Sequence, residues 1–182
     1  MTQPSLHPRV AEIVDALESA HRELVEVMTT IPEDRRDAPA DDGRWSIAQH
    51  VEHLAMVEDG SGRLMSKLIK QVEATGERET EDTSLLDSLD RFRVWTVVRR
   101  IDAPDSVRPK EGLSTTDALA RLTASRSRMI AVLQRASGLA LASVSAPHPA
   151  AGPLNVYQWG LICAQHTRRH IELIRAVAGL GD

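Results

Sequence analysis

The sequence predicts an all-α protein, a four-helix bundle, on three observations. Four segments repeat their apolar residues at helical spacing, and three of them open on a capping signature. No stretch alternates apolar and polar residues as a half-buried strand would. The 182 residues suit one domain over 1–182 with a real core, and 42% hydrophobic residues place the chain in the ordinary globular class.

The first helix is expected from Pro8 to Thr30, with Val10, Ile13, Leu17, Leu24, Val27 and Met28 on one face. Ile31-Pro32 ends it, because proline lacks the N–H that would continue the ladder. The second opens at Ser46, where Gln49 three residues on completes a capping box, and runs through Ile47, Val51, Leu54, Val57, Leu64 and Leu68 to Ala74. The third opens at Ser114 with Asp117 three on, and carries Leu119, Leu122, Met129, Ile130 and Leu133 to Ala136. The fourth follows "APHPAAGPLN"; Asn155 and Gln158 repeat the box, and the helix ends at Ala178 before Gly179.

The connection between the second and third helices, Thr75–Leu113, is long and rich in acids, prolines and turn residues, with "LLDSLDRFRVWTVVRR" suited to a short helix inside it. Short loops force antiparallel neighbours, whereas a long crossover lets consecutive helices run parallel. The predicted topology is therefore up-down-down-up, with the crossover between helices 2 and 3.

Several function classes are excluded. No apolar run reaches the length of a membrane span, and "MTQPSLHPRV" holds no apolar signal core, so a soluble cytoplasmic protein without a membrane partner is expected. A single cysteine, Cys163, builds no internal disulfide framework. Net charge is −4 with mixed signs along the chain, and aromatics are 3%, which leaves neither a basic stripe nor a stacking platform for nucleic acid. A small-molecule substrate is the partner that remains, and the helix faces allow a homodimer.

Chemistry concentrates in the histidines. "AQHTRRHIELI" sets His166 and His170 on one helix face, about 6 Å apart along the axis, a spacing at which two imidazoles bind one divalent ion. Trp159, Ile162, Cys163, Ile174 and Val177 share or border that face, so the pair looks inward. A buried imidazole with unsatisfied nitrogens costs about 1–3 kcal/mol, and a shared metal ion removes that cost. "GRWSIAQHVEHLAMVEDG" offers a third donor, either His50 or His53, and helix geometry admits both. Three protein ligands with an open position is the catalytic pattern. Three neutral imidazoles also leave the ion its full charge, which acidifies a bound water or thiol.

Trp45-Ser46 followed by His53-Leu54, then "IDAPDSVRPK", "HPAAGPLN" and "QWGLICAQHTRRHI", occur in this order between about Ala11 and Val177. In these motifs the chain resembles the DinB-like superfamily of damage-inducible four-helix-bundle metalloproteins, and especially its thiol-transferase-related branch. The resemblance implies an up-down-down-up bundle. It also implies metal ligands at one histidine eight residues after the helix-opening tryptophan and two at HxxxH, which fall on His53, His166 and His170. His50 stands outside that triad. The activity implied is that of a divalent-metal enzyme, with Zn or Ni. It would be an S-transferase using a low-molecular-weight thiol such as bacillithiol or mycothiol, a thiol-dependent isomerase, or a metal-dependent hydrolase. A non-catalytic metal-binding stress protein or small-ligand sensor is the alternative. Many relatives carry glutamine three residues after the last ligand; Leu173 stands there instead.

The other candidates read more simply as structure. Cys163 is core before it is a fourth ligand. Arg168 and Arg169 are surface cations before they are anion contacts, and Tyr157 and Trp159 pack. Gly60 leaves room for a substrate or permits close helix packing. Glu58 and Asp59 are offset from His53 on the helix, so no catalytic residue is assigned beside the triad.

Overall fold

Four long helices carry the chain in a computed structural model that describes residues 5–40, 43–86, 103–110, 112–149 and 151–180. They are α1 (Pro8–Thr30), α3 (Ile47–Thr75), α4 (Thr115–Arg135) and α5 (Val156–Ala178), with a short α2 (Glu33–Arg36) after the first. The capping residues lie where the sequence places them. Ser46 Oγ accepts from Gln49 N at 3.2 Å while the Gln49 carboxamide accepts from Ser46 N at 2.9 Å. Asn155 and Gln158 do the same at 3.0 Å each, and Ser114 Oγ accepts from Asp117 N at 3.1 Å. Gly76 and Gly179, both at φ +68°, end α3 and α5 in the left-handed conformation that glycine adopts without strain.

Contacts between helices establish their directions. Glu58 meets Arg126 and Gly62 faces Met129, residue numbers rising together, so α3 and α4 are parallel. Ile13 abuts Gly160 and Glu23 pairs with Arg168, so α1 and α5 are parallel as well. His50 beside His170 and His53 beside His166 make α3 antiparallel to α5. Arg126 on the Leu17 carbonyl and Thr123 on His21 make α1 antiparallel to α4. This is the up-down-down-up bundle. Both ends of the crossover are strapped to helices: Glu12 of α1 accepts from the Ser84 hydroxyl and from Leu85 N, and Glu52 of α3 accepts from Lys110 N at 3.1 Å.

One expectation is corrected. A two-stranded antiparallel hairpin, β1 (Ser145–His148) with β2 (Gly152–Asn155), stands where no strand is predicted. Each strand has four residues and the pair contains two prolines and a glycine, too short and too broken to display a period of two. Most of the short helix expected in 85–100 lies outside the described residues. No helix among the described residues is long and apolar enough to cross a membrane.

Among the described residues the core falls into two apolar clusters. The first gathers around Ile13, Leu17, Met65, Met129, Leu133 and Leu161; the second gathers around Leu24, Val51, Leu54, Leu122, Ile171 and Ile174. Between them Glu58, Ser61, Ser125, Arg126 and Thr167 form a buried polar layer.

Gly60 of α3 and Gly160 of α5 divide sharply in role. Among the described residues a Cβ at Gly60 would meet nothing within 4 Å, whereas one at Gly160 would stand 2.5 Å from Ile13 Cγ2. Isoleucine is branched at Cβ and stiff, so it does not yield cheaply. Gly160→Ala is expected to cost about 1–3 kcal/mol in urea unfolding through overpacking, and less in an Ile13→Ala background. Gly60→Ala should instead gain up to about 1 kcal/mol from helix propensity. Equal effects at the two sites would contradict this placement.

Candidate metal centre

The first two turns of α3 carry His50 and His53, and the middle of α5 carries His166 and, one turn on, His170. Because the helices are antiparallel, these segments meet at the same end of the bundle. One ring nitrogen each from His53, His166 and His170 lie within 4.8 Å of one another. His53 Nε2 and His166 Nε2 are 3.4 Å apart. That is long for an N–H···N bond. It matches the roughly 3.3–3.4 Å between two nitrogens each about 2.0–2.1 Å from a tetrahedral ion.

The other ring nitrogens decide which carry lone pairs. His53 Nδ1 is 2.7 Å from the Val107 carbonyl, in the 3₁₀ turn Asp105–Val107 of the crossover. A carbonyl only accepts, so Nδ1 holds the proton and Nε2 presents the lone pair. His170 Nδ1 lies 2.9 Å from His50 Nδ1. One of the two imidazoles donates and the other accepts; in the tautomer where His170 donates, its Nε2 is left with a lone pair for an ion and His50 is the acceptor. His166 Nδ1 is buried without a partner among the described residues. A buried cluster with nitrogens aimed at one another and an orphaned imidazole fits a shared cation.

Electrostatics agree with neutral ligands. Burial pushes His166 down to about 3, with help from His53, Arg169 and His148, and it holds His170 well below the ordinary histidine range. His50 is pushed down to about 4 by burial, then by His53 and Arg44. His53 is lowered by burial, and the Val107 carbonyl opposes the shift. Near neutral pH all four imidazoles are therefore uncharged. Trp45, the residue before the α3 cap, lays its ring 4.9 Å from His53, 5.5 Å from His50 and 6.3 Å from His170, covering one side of the cluster.

The remaining candidates fall elsewhere. Cys163 is buried beside Ser61, its thiol pushed up to about 12 by burial and by Glu58. Asp59 lies nearer the surface, bonded to Arg63 and Arg128. Arg168 pairs with Glu23 at 3.6 Å, whereas its neighbour Arg169 stands close enough to act on His166 and His170. The Tyr157 hydroxyl donates to Glu79 at 2.9 Å, and Leu173 is at the surface. His148, unassigned from sequence, packs its ring 5.2 Å from Trp159 and acts electrostatically on His166. Arg126 and the Val107 carbonyl also escaped the sequence reading. Arg126 interrupts the apolar stripe Leu122–Met129 of α4, a detectable signal, but nothing local marks a backbone carbonyl. A groove of about 290 Å³ between α3 and α4, lined by Gly62, Met129 and Arg135 among others, does not include the histidines.

The sequence model of the DinB superfamily matches residues 16–174. Among solved structures, the chain is similar to TT2238, a four-helix bundle protein, with a TM-score of 0.60 and 20% identity, covering 92% of this chain and 98% of that one. That likeness extends to the fold alone. No curated protein matches the chain.

His53→Ala, His166→Ala and His170→Ala are each expected to abolish near-stoichiometric zinc retention. His50→Ala should retain the site but bind zinc about 10–100-fold more weakly, as loss of a ligand's hydrogen-bond partner does. Competition with a chelator measures both. In the metal-free chain the folded His50, His166 and His170 stay neutral while their unfolded counterparts protonate below about pH 6.5, so the unfolded state binds more protons. Stability should therefore be fullest above that pH and fall as pH drops toward 4, by up to about 1.4 kcal/mol per pH unit for each histidine. A flat urea-unfolding profile across that window would rule this out.

Proposed function

The chain belongs to the DinB superfamily, and from that premise we propose that it is a divalent-metal-dependent enzyme, most simply an S-transferase that activates a low-molecular-weight thiol. The observation that carries the proposal is the convergence of three neutral imidazoles, two of them with their outer nitrogens fixed by Val107 and His50. His53, His166 and His170 would hold the ion, Zn or Ni. A divalent ion bound there supplies Lewis acidity and lowers the pKa of a thiol or water in its open position.

The chain's own groups account for the choice of nucleophile. Glu58 is committed to Arg126, Glu52 accepts from Lys110 N, and Asp59 lies with Arg63 and Arg128. No carboxylate among these is left to act as a general base on water. A thiol needs less assistance, since its unperturbed pKa is already about 8.5. Cys163, buried and held protonated, is not that thiol and is not grouped with the three histidines, so the sulfur comes from a small co-substrate such as bacillithiol or mycothiol. The thiolate sulfur would bond to an electrophilic carbon as the leaving group departs. Trp45 covers one side of the centre and limits water there. In a reducing cytoplasm both Cys163 and the co-substrate would stay as thiols.

Untagged protein should carry near-stoichiometric metal. It should conjugate a chromogenic electrophile to one member of a thiol panel, and His166→Ala should abolish the turnover. Silence across the panel with ester or amide hydrolysis intact would replace the transferase with a hydrolase. Bound metal with no turnover at all would leave a metal-binding stress protein.

A further inference from the structure

We infer that the buried polar layer of Glu58, Arg126 and Thr167 fixes the register in which α3 and α5 present the three histidines, which makes Arg126 a positioning residue for the metal site. The inference rests on the three-histidine reading and adds the device that holds it in place. Arg126 of α4 is 3% exposed, Glu58 of α3 is 1% exposed and Thr167 of α5 is fully buried. Arg126 Nε donates to Glu58 Oε2 at 2.7 Å, and Nη2 donates to Glu58 Oε1, giving a two-pronged pair. Nη2 also reaches Thr167 Oγ1 at 3.0 Å, while Nη1 donates to the Leu17 carbonyl of α1. The Thr167 hydroxyl in turn lies 3.3 Å from Glu58 Oε1 and 3.1 Å from the Cys163 carbonyl. A single guanidinium of α4 thus bonds to the three other long helices.

The position of this layer gives it a consequence for the site. Thr167 lies directly between His166 and His170 in the chain, and Glu58 follows His53 by five residues, about 7.5 Å along α3. Apolar contacts on either side are not directional, so they discriminate less sharply between slightly different helix settings. A forked guanidinium–carboxylate pair in a dry core does discriminate, because a shift leaves a buried charge without its partner. The layer therefore selects one axial and rotational setting, and the histidines adjoin the residues that set it.

A purely stabilising role makes a different prediction, since buried ion pairs replaced by apolar residues of similar volume are often as stable or more so. The test is the combined variant Glu58→Met, Arg126→Met, Thr167→Val. It is expected to fold with a Tm equal to or above wild type, to bind zinc at least about tenfold more weakly by chelator competition, and to give a broadened cobalt(II) absorption band. Zinc affinity within twofold of wild type in a folded triple variant would overturn the inference. If the triple variant does not fold, Thr167→Val alone serves: a weakened zinc affinity at nearly unchanged Tm supports the role, and unchanged affinity overturns it. Arg126→Lys, which keeps the charge but loses the fork, is expected to weaken zinc binding too. A wild-type chain that holds no zinc removes both readings, whereas equal binding by wild type and variant removes this one alone.

Discussion

Among the described residues Arg126 is the side chain that ties the four long helices together at a single point. Its guanidinium collects a carboxylate from α3, a hydroxyl from α5 and a carbonyl from α1, and it does so where the apolar core is interrupted. Two greasy clusters alone specify that four helices associate; they specify far less how those helices are phased. Burial pushes the Glu58 carboxyl upward and Arg126 pulls it back, so neither group is comfortable without the other. The pair is poor evidence for added stability and good evidence for a single packed arrangement.

The histidine cluster inherits that arrangement. His53 and His50 lie on neighbouring turns of α3, and the three-residue offset rotates one from the other by roughly 60° around the axis. This is enough to send His53 toward His166 and His50 toward the outer nitrogen of His170. The two imidazoles of α3 are thus given different neighbours by geometry rather than by chemistry, and only His53 falls in the three-histidine group. Trp45 then closes over both from the residue preceding the cap.

Much of this was legible in the chain. The boxes at Ser46–Gln49 and Asn155–Gln158 are local chemistry, so α3 and α5 begin where the residues say, and α1 spans Pro8–Thr30 as its pattern predicts. The ends of α3 and α4 differ by one residue from expectation, which is ordinary fraying. The parallel α3–α4 pair followed from crossover length. The pairing of Glu58 with Arg126 did not, because it joins residues far apart in sequence. Yet both occupy places in apolar stripes, Glu58 between Leu54 and Met65 and Arg126 between Leu122 and Met129. The choice of His53 over His50 came from family resemblance, and the structure supplies the physical distinction between their surroundings. The hairpin was hidden by its prolines, and Gly160 by the absence of any local sign that Ile13 would press against it.

The Val107 carbonyl carries a consequence for regulation. It belongs to the crossover, yet it fixes the tautomer of a candidate ligand, so docking of this loop and occupancy of the centre are linked equilibria. With an ion held at His53, whatever draws the loop away from α3 would weaken the grip on it, and the ion would in turn strengthen the loop's hold on the bundle. By this reciprocity a binder that never touches a histidine, acting only on the surface near Asp105–Lys110, would tune the centre from outside.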